Sequence, residues 1–495
     1  MGTHRPIDLP SATDRITARL RPQRTAKTDE RQRALGATDA IGAGGNLRPS
    51  PTATPLVVLD VNNFFSPTGG GVRRYHLEKI AHFGKRADIQ YHLVVPSDRR
   101  LRERKDGATL HHMPAVPIGR SGYRFLIDPF ALRNLVRELD PDVIEIGSPY
   151  ILPDLVRFAA KGSRAKLVGF WHAHYPDAYL RRPLAAVGDI GALAERVGWW
   201  WARRTFGRFD RIVAAAQCLE GELAAHGIDR VAITPLGVDL GLFSPSCRDE
   251  GLRARWGASN DDVVFAFPHR LCEEKRLNTL IEAWPHAVAA IGPRAKLVFA
   301  GRGPGEAQVR ALMARYPTQV FHEGFLSDPI EIARLLASVD VVAALSPTET
   351  FGLSAAEAMA SGSAIIGSDE LSVGEMLRQS HAGIAVADRD PVALAKAMVA
   401  LGDARLVRRL GQRAHGYALS RFDWRETFDR LANIYRAVCD GSTMPTMEPW
   451  SPIVAALASS GEFTFPAPGD RTGRPQWHQD PPALPSVARS SDVAS

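Results

Sequence analysis

The chain has 495 residues, of which 45% are hydrophobic and 23% charged, a balance typical of a globular protein. This length predicts two or three domains. The composition excludes a membrane-spanning enzyme, because no stretch approaches the roughly 18 uncharged apolar residues that a spanning helix needs.

The formal charge of +7 favours an anionic partner, either nucleic acid, an acidic membrane surface or a phosphorylated small molecule. Charge alone does not choose among them. The N-terminus lacks the apolar core of a secretory signal, and the four cysteines show no short CxxC spacing. We therefore expect a cytoplasmic protein with buried thiols.

Both ends of the chain lack a periodic apolar pattern. Residues 1–54 are rich in Arg, Thr and Ala, and residues 441–495 are rich in Pro, so both are predicted to be disordered tails. Between them we predict an N-terminal Rossmann-like domain over 55–236 and a second one over 237–410. Helices over 411–440 are expected to pack back toward the first domain.

Short Val/Ile/Leu runs alternate with amphipathic helical stretches, which indicates parallel sheets covered by helices. The runs are continuous, so both faces of each strand should be buried. Ligands of doubly wound sheets bind beyond the carboxyl ends of the strands. The first half predicts strands at 56–61, 91–95, 143–146, 167–170 and 212–215, and the second half at 263–267, 297–300, 320–322, 341–345, 364–366 and 384–386.

Two loops of the first half carry candidate ligand contacts. A glycine-rich turn that includes Gly70 and Gly71 precedes a helix, and allows either a close phosphate approach or merely a tight connection. His172 and His174 follow the fourth predicted strand, with Asp177 just after them. Such a histidine can bind a sugar hydroxyl or assist proton transfer, and it can equally be satisfied by backbone groups.

Aromatic and basic residues interleave over 196–211, in a stretch predicted to be helical. This pattern is typical of an anchor on anionic lipid. Three consecutive tryptophans cannot share one helix face, so at least one should pack in the core. We hypothesise that Trp200, Arg203 and Arg204 contact a membrane, which would imply a lipid-linked acceptor.

The strand predicted at 263–267 leads into a loop that carries Arg270 and Lys275, before a helix from Leu277. Two cations in one loop could neutralise a diphosphate leaving group in place of a metal ion. Either residue alone is more often a surface charge.

The strand predicted at 341–345 leads into a second loop, which opens a helix at about Gly352. A helix N-terminus can seat phosphate, and a carboxylate can accept two hydrogen bonds from a vicinal diol. Glu349 lies in the loop and Glu357 in the helix, so one could meet a sugar ring and the other a ribose. A capped helix with a solvated glutamate is the alternative, which the nearby cations make less favourable.

These motifs together resemble the retaining GT-B glycosyltransferases of family 4. The resemblance covers roughly residues 56 to 438 and implies two Rossmann-like domains that face a central cleft. It rests on Glu349-x7-Glu357 within Pro-Thr-Glu-Thr-Phe-Gly, the Arg270–Lys275 spacing, Gly301-Arg-Gly-Pro304 and Pro235-Leu-Gly-Val-Asp239. The chain departs from the family at Pro268-His269 and at Arg276, where glycine is common.

The resemblance also implies a role for each matching residue. Arg270 and Lys275 would bind the diphosphate, Glu349 the transferred hexose and Glu357 the ribose. His172 would take the position of the active-site histidine, with His174 and Asp177 on the acceptor side. Gly301, Gly303, Phe325 and Leu326 would surround the base. Backbone contacts around sugar and phosphate would come from Phe351, Gly352 and Leu353, and the loop with Gly70 and Gly71 would close over the donor from the opposite domain.

The stretches 65–75 and 119–124 resemble bacterial GDP-mannose-dependent α-mannosyltransferases that act on glycolipids. The expected function is therefore retaining transfer of a hexose, with mannose favoured, to a lipid-linked or saccharide acceptor. We expect no metal or other cofactor, no nucleic-acid partner, and a location in the cytoplasm or on the inner face of the plasma membrane. The base, sugar, acceptor and linkage stay open.

Four alternatives remain. A UDP-sugar-dependent transferase of capsule, exopolysaccharide or lipopolysaccharide synthesis would share the motifs, as would a catalytically weak scaffold. A dinucleotide-dependent oxidoreductase is disfavoured because no GxGxxG follows the first strand. A metal-dependent transferase could use Asp388-Arg-Asp390, but Pro391 makes Asp390 a predicted helix N-cap.

Overall fold

The computed structural model describes residues 54–65, 70–119, 123–184 and 189–446. The predicted tails lie outside these residues, apart from Thr54 and residues 441–446. The described chain folds around two mainly parallel β-sheets with helices on their faces, which confirms the predicted α/β class.

The N-terminal lobe is built on a sheet to which the described residues contribute eight strands. They are β1 Leu56–Val61, β2 Ile89–Ser97, β3 Leu101–Lys105, β4 Ala108–Pro114, β7 Val143–Ile146, β8 Lys166–Phe170, β9 Arg211–Ala214 and β10 Val231–Ile233. Their order is β10-β9-β8-β7-β1-β2-β4-β3, and β3 pairs antiparallel with β4. A separate ribbon pairs β5 Val116–Pro117 with β6 Arg124–Phe125.

Helices and one π-helix connect the strands of this lobe. They are α1 Gly71–Phe83, α2 Pro129–Leu139, α3 Leu152–Ala159, the π-helix Pro176–Arg181, α4 Arg182–Leu184, α5 Asp189–Phe206 and α6 Cys218–Ala225. All five runs predicted in the first half are strands, and the prediction missed β3, β4, β10 and the two-residue ribbon.

The C-terminal lobe is built on a second sheet, whose described strands all run parallel. They are β11 Val263–Phe267, β12 Ala295–Phe299, β13 Val320–His322, β14 Val341–Ala344, β15 Ala364–Ser368 and β16 Gly383–Val386, in the order β13-β12-β11-β14-β15-β16. Each of the predicted runs is a strand. Every residue of β11, β12, β14 and β15 is buried, as continuous apolar runs require.

The helices of the second half of the chain, apart from the last one, lie with the second sheet. In chain order the helices of this half are α7 Glu250–Arg255, α8 Leu277–Ile291, α9 Glu306–Arg315, α10 Pro329–Ser338, α11 Leu353–Ala360, α12 Leu371–Ser380, α13 Pro391–Ala400, α14 Ala404–Arg421 and α15 Trp424–Asp440, with short 3-10 turns at Pro245–Cys247 and Glu273–Lys275.

The chain returns to the N-terminal lobe at Asp423, which bridges to Val238 of the connection between the lobes. Helix α14 packs on α11 and stays with the second sheet, whereas α15 packs on α1. The Tyr435 hydroxyl of α15 donates to the buried Glu145 carboxylate on β7. The last helix therefore fastens the C-terminal end of the chain to the first sheet.

A buried ionic cluster lies under the carboxyl end of the first sheet. The Lys79 ammonium on α1 is 2.6 Å from Asp60 Oδ2 on β1 and 2.8 Å from Glu145 Oε1 on β7. All three side chains are fully shielded from solvent. Burying such charges is costly unless they are paired and hydrogen-bonded, so the cluster fixes α1 against β1 and β7.

Candidate active site

Two loops of the second sheet meet because their strands are neighbours. Strand β11 pairs with β14, and parallel neighbours end at the same edge of a sheet. The loop after β11 brings the Lys275 Nζ within 2.5 Å of Glu349 Oε1, which follows β14. The structure thus joins two residues that lie 74 positions apart in the sequence, as the sequence analysis predicted for one donor site.

Electrostatics favour the charged forms of this pair. Burial would raise the pKa of Glu349, but the charge and hydrogen bond of Lys275 hold it below the usual value. Burial would likewise lower the pKa of Lys275, and Glu349 raises it instead. The Ser372 hydroxyl donates to the Glu349 backbone oxygen at 2.5 Å and fixes the loop. The pair offers one cation and one acceptor to a phosphorylated sugar.

Glu357 lies on α11, the helix that this second loop opens. Gly352 precedes the helix with φ 83°, where an added Cβ would lie 2.8 Å from Val373 Cγ2. Burial raises the pKa of Glu357 to about 7, and Arg74 of the N-terminal lobe only partly opposes this. Glu357 is therefore a half-buried carboxyl whose charge interacts with a cation of the opposite lobe.

Arg270 is paired with Glu274 in this structure rather than with Glu349. Its guanidinium is 62% exposed and lies 2.5 Å from Glu274 Oε2, four residues along the same loop. The two cations of the loop thus share the Glu274 carboxylate, whose Oε1 lies 3.9 Å from Lys275 Nζ, while Lys275 is also paired with Glu349. Contact of Arg270 with a diphosphate remains a prediction that would need this local pair to open.

Glycines of the loop after β12 allow it to pack on the loop after β11. A Cβ at Gly301, where φ is 145°, would lie 2.1 Å from the His269 carbonyl oxygen. A Cβ at Gly303 would lie 2.4 Å from the Leu271 carbonyl oxygen. Loop packing thus accounts for both glycines, and their contact with a base stays a prediction.

Other predicted donor residues differ in exposure. Phe325 is 63% exposed, Leu326 is half-buried, and Phe351 is buried edge-to-face against Phe422 at 5.3 Å. Phe351 can therefore offer a ligand only backbone groups. The neutral His269 ring, whose pKa burial and the Lys275 charge lower to about 4, lies beneath the pair and contacts the Ala343 carbonyl oxygen at 2.9 Å.

The N-terminal lobe reaches this site through its own strand ends. A Cβ at Gly71 would lie 3.5 Å from Leu353 Cδ2 at the start of α11. The open space around Gly70 would admit a side chain. The Thr350 hydroxyl donates to the His172 carbonyl oxygen at 2.7 Å, so the residue after Glu349 touches the opposite lobe.

The His172 ring is held rigidly at the end of β8. It stacks on Phe170 with centroids 4.1 Å apart, and Gly147 leaves it room, since a Cβ there would lie 2.8 Å from the ring. Burial drives the pKa of His172 well below its usual value, so the ring is neutral. Its Nε2 has no hydrogen-bond partner within the described residues. A neutral ring with a spare nitrogen suits a substrate hydroxyl.

The two predicted acceptor-side residues are engaged elsewhere. His174 is buried edge-to-face against Trp199, and its Nε2 lies 2.8 Å from Glu222 Oε1. Asp177 accepts hydrogen bonds from Arg181 at 2.5 Å and Arg182 at 2.8 Å. Burial leaves no room for an acceptor at His174. The Asp177 carboxylate is paired with two arginines of the protein.

The tryptophans of α5 separate as expected. Trp199 is buried and stacks on His226, whereas Trp200 is 56% exposed. Arg203 and Arg204 are exposed beside Trp200. Among the helices of the described residues, none combines the length and the apolar character of a membrane span.

Several residues near the site escaped the sequence analysis. Asp390 caps α13 by accepting from the Ala393 amide, as predicted, but Asp388 also binds Arg276 and Arg182. Thr350 and Ser372 are hydroxyls without a distinctive pattern, and only the three-dimensional structure reveals their contacts. The one sequence feature that could have indicated these two residues is that polar side chains lie in loops at strand ends.

The fold and the paired strand-end loops define a two-lobed α/β protein of the GT-B class. Two family models account for most of the described chain: "Glycosyltransferase Family 4" matches residues 69–242 and "Glycosyl transferases group 1" matches residues 249–415. The chain belongs to these GT-B glycosyltransferases, which confirms the resemblance.

The similar proteins include bacterial mannosyltransferases and other glycosyltransferases. The chain is 29% identical to a GDP-mannose-dependent alpha-(1-6)-phosphatidylinositol dimannoside mannosyltransferase of Mycobacterium tuberculosis, over 69% of this chain and 86% of that one. It is 29% identical to a GDP-mannose-dependent alpha-mannosyltransferase of Mycolicibacterium smegmatis, over 77% and 97%. A D-inositol 3-phosphate glycosyltransferase of Catenulispora acidiphila is 28% identical over 75% and 92%.

Solved structures share the fold. Sucrose-phosphate synthase from Thermosynechococcus elongatus superposes with a TM-score of 0.62 at 17% identity, covering 78% of this chain and all of that one. Anabaena HepE in complex with UDP and glucose gives 0.55 at 20% identity, covering 76% and 98%. At these identities the likeness establishes the GT-B fold alone.

Proposed function

We propose that this glycosyltransferase moves mannose from GDP-mannose, with retention of the anomeric configuration, to a hydroxyl of a lipid-linked or saccharide acceptor. The observation that carries the proposal is the Lys275–Glu349 pair, which lies at a strand-end loop facing His172. The names of the mycobacterial relatives support GDP-mannose as donor. The proposal extends their donor to this chain.

Binding of the donor would replace the contact between Lys275 and Glu349 by contacts of each residue with the donor. Its diphosphate would take Lys275, and its hexose hydroxyls would take Glu349. Charge grows on the diphosphate as the glycosidic bond breaks, so the half-buried Lys275 ammonium would stabilise the transition state more than the ground state. We propose that this cation, with Arg270 once it leaves Glu274, serves in place of a metal ion.

The acceptor would approach from the N-terminal lobe. The unpartnered Nε2 of His172 would bind a hydroxyl of the sugar, and closure of the lobes would exclude water. The acceptor hydroxyl would give its proton to the departing phosphate, so no dedicated base is required.

The donor test uses the full chain with GDP, UDP, GDP-mannose and UDP-glucose in thermal-shift and transfer assays. A nucleotide at 100 times its Kd stabilises the fold by about 2.7 kcal/mol. We expect GDP and GDP-mannose to stabilise the folded protein. We expect Lys275→Ala to lower turnover by about 10²–10³-fold. The exposed Lys161→Ala is the matched control. Stabilisation by UDP alone would overturn the GDP assignment in favour of the UDP-sugar alternative.

Two further readouts test the chemistry. Proton NMR of the product should show an α-mannoside, because the donor is α-linked and the configuration is kept. A β-product would contradict retention. Activity should also survive chelation of divalent metal ions by EDTA, and loss of activity that Mg²⁺ restores would overturn the metal-free proposal.

We further propose that α5 docks on an anionic membrane to reach a lipid-linked acceptor. Its exposed apolar residues recur at helical spacing and form one stripe, beside which Arg203 and Arg204 can meet lipid phosphates. The stripe consists of Ile190, Leu193, Val197 and Trp200, each more than half exposed.

Neighbouring residues extend this apolar surface. The Trp201 Nε1 donates to the Tyr150 carbonyl oxygen at 3.3 Å, which sets α5 beside the exposed Ile151 before α3. Exposed apolar side chains clustered with arginines are uncommon on proteins that meet only water.

The membrane test is co-sedimentation with vesicles of phosphatidylglycerol and phosphatidylcholine at low salt. We expect binding that Trp200→Ala with Arg203→Ala and Arg204→Ala abolishes. Arg405→Ala with Arg409→Ala removes two exposed arginines of the other lobe and should not weaken binding. Failure of the wild type to sediment, or equal loss in both variants, would refute the proposal.

A further inference from the structure

Arg276 has an unusual backbone for its residue type. It follows Lys275 directly and has φ 61°, in the left-handed region that glycine adopts most easily. An L-residue with a side chain is strained in that region. The Arg276 side chain is nevertheless buried, with only 3% exposed. Surrounding contacts must therefore hold Arg276 in place.

Asp388 provides those contacts from the loop before α13. The Arg276 Nε and Nη2 donate to Asp388 Oδ1 at 2.5 Å and Oδ2 at 3.0 Å, a two-pronged arrangement. The Arg276 Nη1 also donates to the Glu273 carbonyl oxygen at 2.9 Å. Bidentate pairs of this kind fix direction as well as distance.

The same carboxylate is bound by an arginine of the other lobe. The Arg182 Nη1 donates to Asp388 Oδ2 at 2.8 Å, while its Nε donates to Asp177 Oδ2 at 2.8 Å. Its Nη2 donates to Glu370 Oε2 at 3.1 Å. Asp177, Arg182, Asp388 and Arg276 thus form one interlobe charge chain.

The interlobe charge chain ends at Arg276, which is joined by one peptide bond to Lys275, the cation of the candidate active site. Lys275 closes a tight turn, in which its amide donates to the Cys272 carbonyl oxygen at 3.1 Å and the Arg276 amide to that of Glu273 at 2.9 Å. A turn this short cannot let Arg276 shift without moving Lys275. Glycine would adopt the same backbone at little cost, so what arginine adds here is its guanidinium contacts.

We infer that Arg276, Asp388 and Arg182 are positioning residues that seat Lys275 for the donor diphosphate, and that this seating depends on contact between the lobes. The inference rests on the proposed function. None of the three needs to touch the reacting atoms. Lys275 would be positioned for the donor diphosphate only when Arg182 of the N-terminal lobe binds Asp388 and completes the interlobe charge chain.

Arg276→Gly is the most informative variant, because it keeps the left-handed turn and removes only the guanidinium. Misplacing a reacting group by about 1 Å can cost 10²-fold, so we expect kcat to fall at least about 10-fold. Stabilisation by GDP should weaken, while that by GMP should change little, because Lys275 is assigned to the diphosphate. The Tm without nucleotide should stay close to that of the wild type.

Arg182→Ala should act in the same direction although Arg182 belongs to the opposite lobe. If both residues act through Asp388, the double variant should be no worse than the poorer single one, since residues of one network are not additive. Arg389→Gly is the matched control: Arg389 also has a positive φ of 55° and adjoins Asp388, but it is 59% exposed and pairs with the exposed Glu273 carboxylate at 3.3 Å. It should retain wild-type kcat and GDP stabilisation.

Wild-type kcat and GDP stabilisation in Arg276→Gly would overturn the inference, as would additive losses in the double variant. If Arg276→Gly fails to fold, Asp388→Asn keeps the side-chain size, removes the shared charge and carries the same expectations. A wild type that neither transfers mannose nor responds to GDP would defeat the proposed function instead. The two failures are therefore distinguishable.

Discussion

Glu357 should make the protein less stable at neutral and alkaline pH. Burial raises its pKa to about 7, against 4.5 for an ordinary glutamate. Between these values the folded state holds a proton that the unfolded chain releases. The free energy of unfolding should therefore fall as the pH rises from about 4.5 to 7, and stay low above that.

The magnitude follows from this difference in pKa. It corresponds to about 3 kcal/mol above pH 7, at 1.36 kcal/mol per pKa unit, and to about 1 kcal/mol at pH 5. Glu357→Gln keeps the shape and removes the charge, so it should stabilise the protein by up to these amounts. If Glu357 binds the ribose as a carboxylate, the same variant should also bind GDP-mannose more weakly.

Urea unfolding of Glu357→Gln and wild type at pH 5 and pH 8 measures the effect. Glu349→Gln is the control of opposite sign, because Lys275 holds the pKa of Glu349 below its usual value despite burial. That substitution should lower the free energy of unfolding at pH 8. The reasoning is refuted if Glu357→Gln changes stability equally at both pH values, or destabilises the protein at pH 8.

Three further substitutions test the scaffold by urea unfolding and activity. Lys79→Met should cost about 3–5 kcal/mol, because it leaves two buried carboxylates including Glu145 without their cation; an unchanged midpoint would contradict the role of that cluster. Gly301→Ala should lower transfer activity by displacing the loop at His269, whose carbonyl oxygen would lie 2.1 Å from the new Cβ; normal activity would show that the loops yield freely. Asp390→Ala should cost about 1 kcal/mol by removing the N-cap of α13, and a neutral effect would argue against capping.

The sequence predicts the buried strands well because their environment dictates their composition. Strands such as β11 and β14 are covered on both faces, so continuous apolar runs mark them without ambiguity. The edge strand β3 is Leu-Arg-Glu-Arg-Lys and largely exposed, so it has no apolar signal. The Asp106-Gly107 turn, with both φ values positive, was the one local mark of that hairpin.

Motif spacing predicted the site only in part. Lys275 and Glu349 meet because neighbouring parallel strands carry them, which topology guarantees. Side-chain partners cannot be predicted in this way. Arg270 pairs with the nearby Glu274, and motif spacing does not show whether it prefers that carboxylate or a ligand. His174 likewise has a partner within its own lobe, Glu222, whereas the His172 carbonyl oxygen contacts Thr350 of the other lobe.

Contacts between the lobes and contacts expected for the donor use the same segments of chain. Thr350, which adjoins Glu349, binds the carbonyl oxygen of His172, and Arg276, which adjoins Lys275, reaches Arg182 through Asp388. Moving the lobes apart would therefore break the contacts of both neighbouring residues, Thr350 and Arg276, at once. Lys275 and Glu349 would then lose the contacts that position them. A donor that binds the C-terminal lobe would, by the same linkage, favour the docked lobes, because binding and closure stabilise the same loop positions.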